Sequence, residues 1–348
     1  MKGIAFHSPF DLACESVADP RLEAPTDVLV RVDLAAICGS DLHVYRGVER
    51  GLDRGTVLGH EFLGTVVEVG PAVETWKPRQ RVVSPFSTSC GACYQCRRGL
   101  TSRCERSQLF GWVQEGRGLH GGQAELVRVP LADSTLVAVP PDVPEEQALL
   151  AGDVLSTGFH CAENGGVAAG DVVCVLGCGP VGLAAVLGAR DLGAREVLAV
   201  DSVSERLELA ERYGARPVDL AREDVAARVR AASENRGADV VLEVVGSSQA
   251  SALAYEVVRT GGTISAPGVH NEPHFAFSPG AMYDKNLTYR AGRAPARAYM
   301  ERVLERLQRR AIDASAFFSH RLALDEAPRG YRIFDEKRER CTKVLLRP

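Results

Sequence analysis

Long apolar runs are missing from this chain. None reaches the roughly 18 residues that a membrane helix needs, and the apolar start at Met1 is broken at once by His7, Ser8 and Pro9, which argues against a signal peptide. No membrane partner and a cytoplasmic location are therefore expected. An excess of positive charge is also missing. The formal net charge is −4 and no expected element carries a Lys/Arg stripe, so nucleic acid is not an expected partner. Nothing repeats internally and no segment is of low complexity, which leaves an ordinary globular protein.

Length and cysteine are what the chain does have. At 348 residues it is long for a single core, so two domains are expected. Ten cysteines in a reducing compartment read as metal ligands or buried thiols and not as a disulfide framework.

The first 150 residues carry short β-type runs, at Val28–Leu34, Gly64–Val69, Arg81–Ser84 and Ala124–Val129, separated by turn residues. The texture changes near residue 170. Val172–Leu176 is a continuous apolar run of the kind buried on both faces, and a helical pattern follows from Pro180 to Leu192. Strands at Glu196–Val200, Asp239–Val244 and Thr263–Ala266 then alternate with helices at Ser204–Tyr213, Asp224–Ala232 and Gln249–Val258, the rhythm of βαβ units in a parallel sheet. Past residue 290 one helix, Arg297–Arg310, and a β-like tail ending Thr342–Leu346 are expected. The fold class is α/β plus β.

Gly177-Cys178-Gly179-Pro180-Val181-Gly182 is a G-x-G-x-x-G that follows a strand and opens a helix. Its glycines allow a tight turn and close approach of a pyrophosphate to the helix N-terminus, and Pro180 suits the first helical turn. Asp201 ends the next strand, where a carboxylate accepts hydrogen bonds from the adenosine ribose; it would repel a 2′-phosphate and so favours NAD over NADP. Arg206 lies nearby and softens that preference. Cys90, Cys93, Cys96 and Cys104 form C-x2-C-x2-C-x7-C in a polar loop. Four thiolates close the shell of a structural zinc, with an iron–sulfur cluster as the rival reading.

Cys38-Gly39-Ser40-Asp41-Leu42-His43 and Gly59-His60-Glu61 are too dispersed to be read from spacing alone. Together with Gly64, Gly70 and Val73, however, Gly59-His60-Glu61 resembles the zinc signature of medium-chain alcohol dehydrogenases, and the cysteine loop and the dinucleotide turn stand where that family places them. The resemblance runs from end to end. It implies a GroES-like β-rich catalytic domain over residues 1–154, completed by 291–348, and a Rossmann doubly wound domain over 155–290. It also implies two Zn²⁺ per chain and a homodimer or homotetramer.

By that resemblance Cys38 and His60 are catalytic zinc ligands. Asp153 stands where many members carry a second cysteine, as in the branch resembling glutathione-independent formaldehyde dehydrogenases. Glu61 is then an outer group or an exchangeable fourth ligand. Ser40 and His43 are the implied proton route, and Phe86, Phe110 and Trp112 the implied pocket residues. Lys343 is expected either to reach the pyrophosphate or to be a solvated strand residue. Cys14, Cys161, Cys174, Cys178 and Cys341 are expected as buried thiols. The implied activity is hydride transfer between a small alcohol, or an aldehyde hydrate, and NAD. Formaldehyde dehydrogenase- or dismutase-like activity is the alternative, suggested by Asp153 and the Asn164-Gly165 neighbourhood. Two further readings fit less well. A zinc-ribbon binding module conflicts with the acidic charge and the dinucleotide turn, and a noncatalytic relative would be expected to lack Cys38 or His60.

Overall fold

The computed structural model describes residues 1–271 and 274–348. The chain divides into two compact units, Met1–Ser156 with Pro295–Pro348, and Thr157–Ala294. No helix among the described residues is long and apolar enough to cross a membrane.

The second unit is built on a six-stranded sheet whose pairings are all parallel. Its order is Arg216–Asp219, Glu196–Asp201, Val172–Leu176, Ala238–Glu243, Val258–Ala266 and Thr288–Ala291. All five residues of Val172–Leu176 are buried, as a central strand covered on both faces requires. Val172, Leu198, Val241 and Ile264 from four neighbouring strands join one core cluster, each worth about 1.5–3 kcal/mol when fully removed from water. The helix Pro180–Asp191 follows the central strand directly, with Gly179 as its N-cap and Pro180 in its first turn.

The first unit is β-rich. Its seven-stranded sheet centres on Val28–Ile37 and Glu61–Val69, joined by antiparallel pairing that places Ala36 opposite Glu61. The C-terminal strand Val344–Arg347 pairs with Val28–Ile37 at Ile37, Ala36 and Ala35, so the end of the chain lies beside residues from its beginning. A two-stranded hairpin of Trp112–Gln114 and Arg117–Leu119 sits on the same core.

Past residue 290 the chain holds more than one helix. Besides Ala296–Gln308 there is a second, Ala327–Asp335, which buries Tyr331, Ile333 and Phe334. Pro328 and Gly330 disguise it in the sequence, yet proline is tolerated in a first helical turn. The short strands Arg216–Asp219 and Thr288–Ala291, at the two edges of the parallel sheet, likewise carry too few buried apolar residues to register as a run.

Candidate metal centres and the cofactor turn

Four side chains far apart in sequence converge in the first unit. Cys38, His60, Glu61 and Asp153 are all buried, and one ligand atom from each lies within 4.8 Å of the others. Cys38 immediately follows the strand Val28–Ile37, and His60 immediately precedes its neighbour Glu61–Val69. The register that sets Ala36 beside Glu61 therefore brings the two together. Asp153 arrives on a loop after the helix Glu145–Leu150, and that loop needs glycine. A Cβ on Gly152 would lie 2.2 Å from the Ser84 carbonyl oxygen.

Within the cluster the Cys38 thiol lies 3.3 Å from Asp153 Oδ2, and His60 Nε2 lies 3.5 Å from the same oxygen. Ser40 Oγ is 3.3 Å from His60 Nε2. Burial disfavours charge on His60, but Asp41, Cys38 and Asp153 outweigh it and hold the imidazole protonated well above its ordinary range. Burial, with the Asp153 charge, pushes the Cys38 thiol up to about 11. Two protons thus sit among groups that a divalent cation would discharge. A thiolate, a carboxylate and a neutral imidazole would balance Zn²⁺, so the residues present fit the metal.

The structure adds supports that the sequence reading missed. Asp41 Oδ1 is 3.1 Å from His60 Nδ1, while its Oδ2 accepts from the Cys38 amide at 2.9 Å and from Gln123 Nε2 at 3.3 Å. The Tyr331 hydroxyl donates to Gln123 Oε1 at 2.8 Å. Such an outer layer orients a ligating imidazole and sets its tautomer. The Cys-x-x-Asp spacing of Cys38 and Asp41 was the available signal; nothing marked Gln123 or Tyr331.

Lys343 is corrected as a solvated strand residue: it is fully buried, and its ammonium lies 2.7 Å from Glu61 Oε1 and 3.2 Å from the Ile37 carbonyl. Burial disfavours its charge, but the pairing with Glu61 wins and holds Lys343 above the ordinary lysine range. Glu61 keeps its second oxygen, Oε2, buried without a hydrogen bond among the described residues.

Phe86 is buried beside the cluster, its ring edge-on to His60 at 6.5 Å. Phe110 packs edge-on against Phe62 at 5.0 Å and is 1% exposed. Trp112 is half-buried and packs on the core, so its large ring does structural work in the hairpin. His43 lies half-buried on the short helix Asp41–Tyr45, and burial lowers its pKa. Asn164 bonds Ser265 through its side chain and Arg290 through its carbonyl, and Gly165 abuts Val240, so this neighbourhood is packing within the second unit. Cys161, Cys174, Cys178 and Cys341 are buried and in no disulfide, whereas Cys14 is half-buried, because its strand Asp11–Ser16 lies in a two-stranded sheet.

A second cluster gathers Cys90, Cys93, Cys96 and Cys104, again with ligand atoms within 4.8 Å. Backbone amides point at the sulfurs: Cys90 N–H to Cys104 at 3.2 Å, Cys93 N–H to Cys90 at 3.3 Å and Arg106 N–H to Cys104 at 3.3 Å. The amides of Cys96 and Glu105 pull the Cys93 thiol down to about 6. Burial and the neighbouring sulfurs push Cys96 up to about 12. Four sulfurs this close share protons until a cation replaces them, and a closed thiolate shell suits a structural zinc.

In the second unit Gly177 takes φ +91°, and a Cβ on Gly182 would lie 1.8 Å from the Gly177 carbonyl oxygen, so the turn is possible only with glycine at both positions. Pro180 and Val181 open the helix behind it. Asp201 Oδ2 accepts from the Cys178 amide at 2.7 Å, and Oδ1 from the Ser202 and Val203 amides at 2.8 and 2.9 Å. Arg206 Nη1 is 3.7 Å from Asp201 Oδ2.

A parallel sheet with this turn in one unit, and two metal-type clusters in the other, describes a nucleotide-linked metallo-oxidoreductase. Comparison with known proteins agrees. Residues 24–141 match the alcohol dehydrogenase GroES-like domain, and residues 180–309 match the zinc-binding dehydrogenase model. The chain is 40% identical to zinc-type alcohol dehydrogenase B of Aspergillus flavus over 343 residues, covering 96% of this chain and 79% of the relative. It is 33% identical to formaldehyde dismutase of Pseudomonas putida over 389 residues, covering 96% and 95%. Among solved structures, alcohol dehydrogenase TADH from Thermus sp. ATN1 superposes with a TM-score of 0.94 at 43% identity, covering 100% of this chain and 99% of that one. The chain belongs to the zinc-dependent medium-chain alcohol dehydrogenase family.

Proposed function

We propose that this protein oxidises a small primary or secondary alcohol, or an aldehyde hydrate, with NAD. The observation that carries the reading is the buried convergence of Cys38, His60 and Asp153 with Glu61 behind them. Cys38, His60 and Asp153 hold a catalytic zinc, and Cys90, Cys93, Cys96 and Cys104 hold a structural one. Zinc bound at the first site supplies Lewis acidity to a substrate oxygen.

The remaining roles belong to the chain. Asp41 fixes the His60 ring, and Lys343 holds one oxygen of Glu61 so that the carboxylate serves as an outer group or an exchangeable fourth ligand. The Ser40 hydroxyl takes up the substrate proton and relays it towards His43, which burial keeps neutral and ready to accept it. Phe86 shields the substrate side of His60 from water. The turn Gly177–Gly182 takes the pyrophosphate and Asp201 the adenosine ribose, favouring NAD over NADP although Arg206 lies close. The ten thiols, none in a disulfide, suit a cytoplasmic protein. A homodimer or homotetramer is the expected assembly.

A second reading, formaldehyde dismutation, is favoured by the likeness to the Pseudomonas putida dismutase together with Asp153 as a carboxylate ligand. Steady-state assays separate the two. NAD-dependent turnover across a panel of short alcohols, with NADP much poorer, supports the dehydrogenase. Disproportionation of formaldehyde without added NAD, and no net NADH with alcohols, supports the dismutase.

A further inference from the structure

Glu243 is a buried carboxylate that the metal chemistry does not use. It ends the strand Ala238–Glu243 and is 0% exposed. Its Oε1 accepts from the Val245 amide at 2.7 Å and the Gly246 amide at 2.9 Å, closing the turn after the strand. Its Oε2 makes no hydrogen bond among the described residues, yet lies 3.2 Å from His270 Nε2, an ion-pair distance without in-line geometry. The Tyr289 phenol and the Cys161 thiol also feel its charge. A buried carboxylate oxygen left without a donor is costly, and His270 is placed to supply one.

His270 lies on the loop after Val258–Ala266, its side chain 30% exposed. That loop and the turn after Glu243 meet backbone to backbone: Gly246 takes φ +79°, and a Cβ there would lie 2.3 Å from the Val269 carbonyl oxygen. Val245 in turn crowds the glycine turn, since a Cβ on Gly177 would meet its Cγ2 at 2.6 Å. These three loops leave the carboxyl ends of Val172–Leu176, Ala238–Glu243 and Val258–Ala266, adjacent parallel strands. Open α/β sheets bind ligands at that edge.

Sheet order then decides which half of a dinucleotide lies there. With pyrophosphate at Gly177–Gly182 and adenosine ribose at Asp201, the adenosine half extends over Glu196–Asp201. Ala238–Glu243 flanks the central strand on the opposite side, so the nicotinamide half extends over the loops that Glu243 and His270 join. We propose that the Glu243–His270 pair ties these two loops together beneath the nicotinamide half of the cofactor, making His270 a positioning residue for dinucleotide binding. The proposal rests on the dinucleotide reading given above.

The test is binding of NADH and of AMP, which lacks the nicotinamide half, to zinc-loaded wild type, His270→Ala and His270→Gln. Wild type binds both. His270→Ala is expected to weaken NADH binding by about tenfold or more while AMP binding stays unchanged. His270→Gln, which keeps an N–H donor for Glu243, recovers most of the loss. Equal losses for NADH and AMP, or an unchanged NADH affinity in His270→Ala, would overturn the proposal. If wild type itself binds neither ligand, the dinucleotide reading falls, and this proposal with it.

Discussion

A lysine ammonium taken wholly out of water persists only beside an opposite charge, and removing one partner of a buried pair typically costs about 3–5 kcal/mol. Lys343 and Glu61 are such a pair, at 2.7 Å with both side chains essentially unexposed. Lys343→Ala is therefore expected to lose that much stability in urea unfolding of the metal-loaded protein. A Lys343→Met/Glu61→Gln double variant, which removes both charges, regains most of it. An undiminished midpoint in Lys343→Ala would remove the pair from the account. His43 yields a pH prediction. Burial lowers its pKa from the ordinary 6.5, so it stays neutral, and able to accept a proton, at pH values where a solvated histidine is already charged. The acid limb of kcat/KM for alcohol oxidation should then lie below pH 6.5, and His43→Gln should abolish that limb and slow turnover by up to about 10²-fold. A pH–rate profile of both proteins decides it. At this scale Cys38 and His60 are legible only through their likeness to a known signature. Asp41, Gln123 and Lys343 are not legible as a group, because a single polar side chain acquires meaning only once the strand register shows what it faces.

Elements repeat the lesson with a different physical cause. The strand–turn–helix at Val172–Asp191 is readable because all its determinants are local: a doubly buried apolar run, glycines at fixed offsets and a proline in the first turn. The helix Ala327–Asp335 is not, because its proline and glycine disguise a segment stabilised by distant partners. Tyr331, for example, bonds Gln123. The same locality makes the turn fragile. Gly182→Ala would set a Cβ 1.8 Å from the Gly177 carbonyl oxygen, which neither backbone can evade without opening the turn. NADH affinity should fall by at least about tenfold, or about 1.4 kcal/mol, while zinc content is unchanged, since both metal clusters lie in the other unit. Fluorescence titration with NADH and metal analysis on one preparation test this; full NADH affinity would mean that the turn is not the pyrophosphate cradle.

At the scale of the whole molecule, two units of different construction carry different chemistry, metal clusters in one and the glycine turn in the other. That division is legible in the change of texture near residue 170. The substrate is not, because specificity rests on loop shape, which no spacing rule encodes. The role proposed for Asp153 is to complete a catalytic zinc site distinct from the four-cysteine site. It is tested most directly by measuring zinc per chain together with NAD-linked turnover in wild type, Asp153→Ala and Asp153→Cys. Two zinc ions are expected in wild type, one in Asp153→Ala with turnover abolished, and two again in Asp153→Cys with turnover largely restored. A zinc content and turnover unaltered by Asp153→Ala would contradict it.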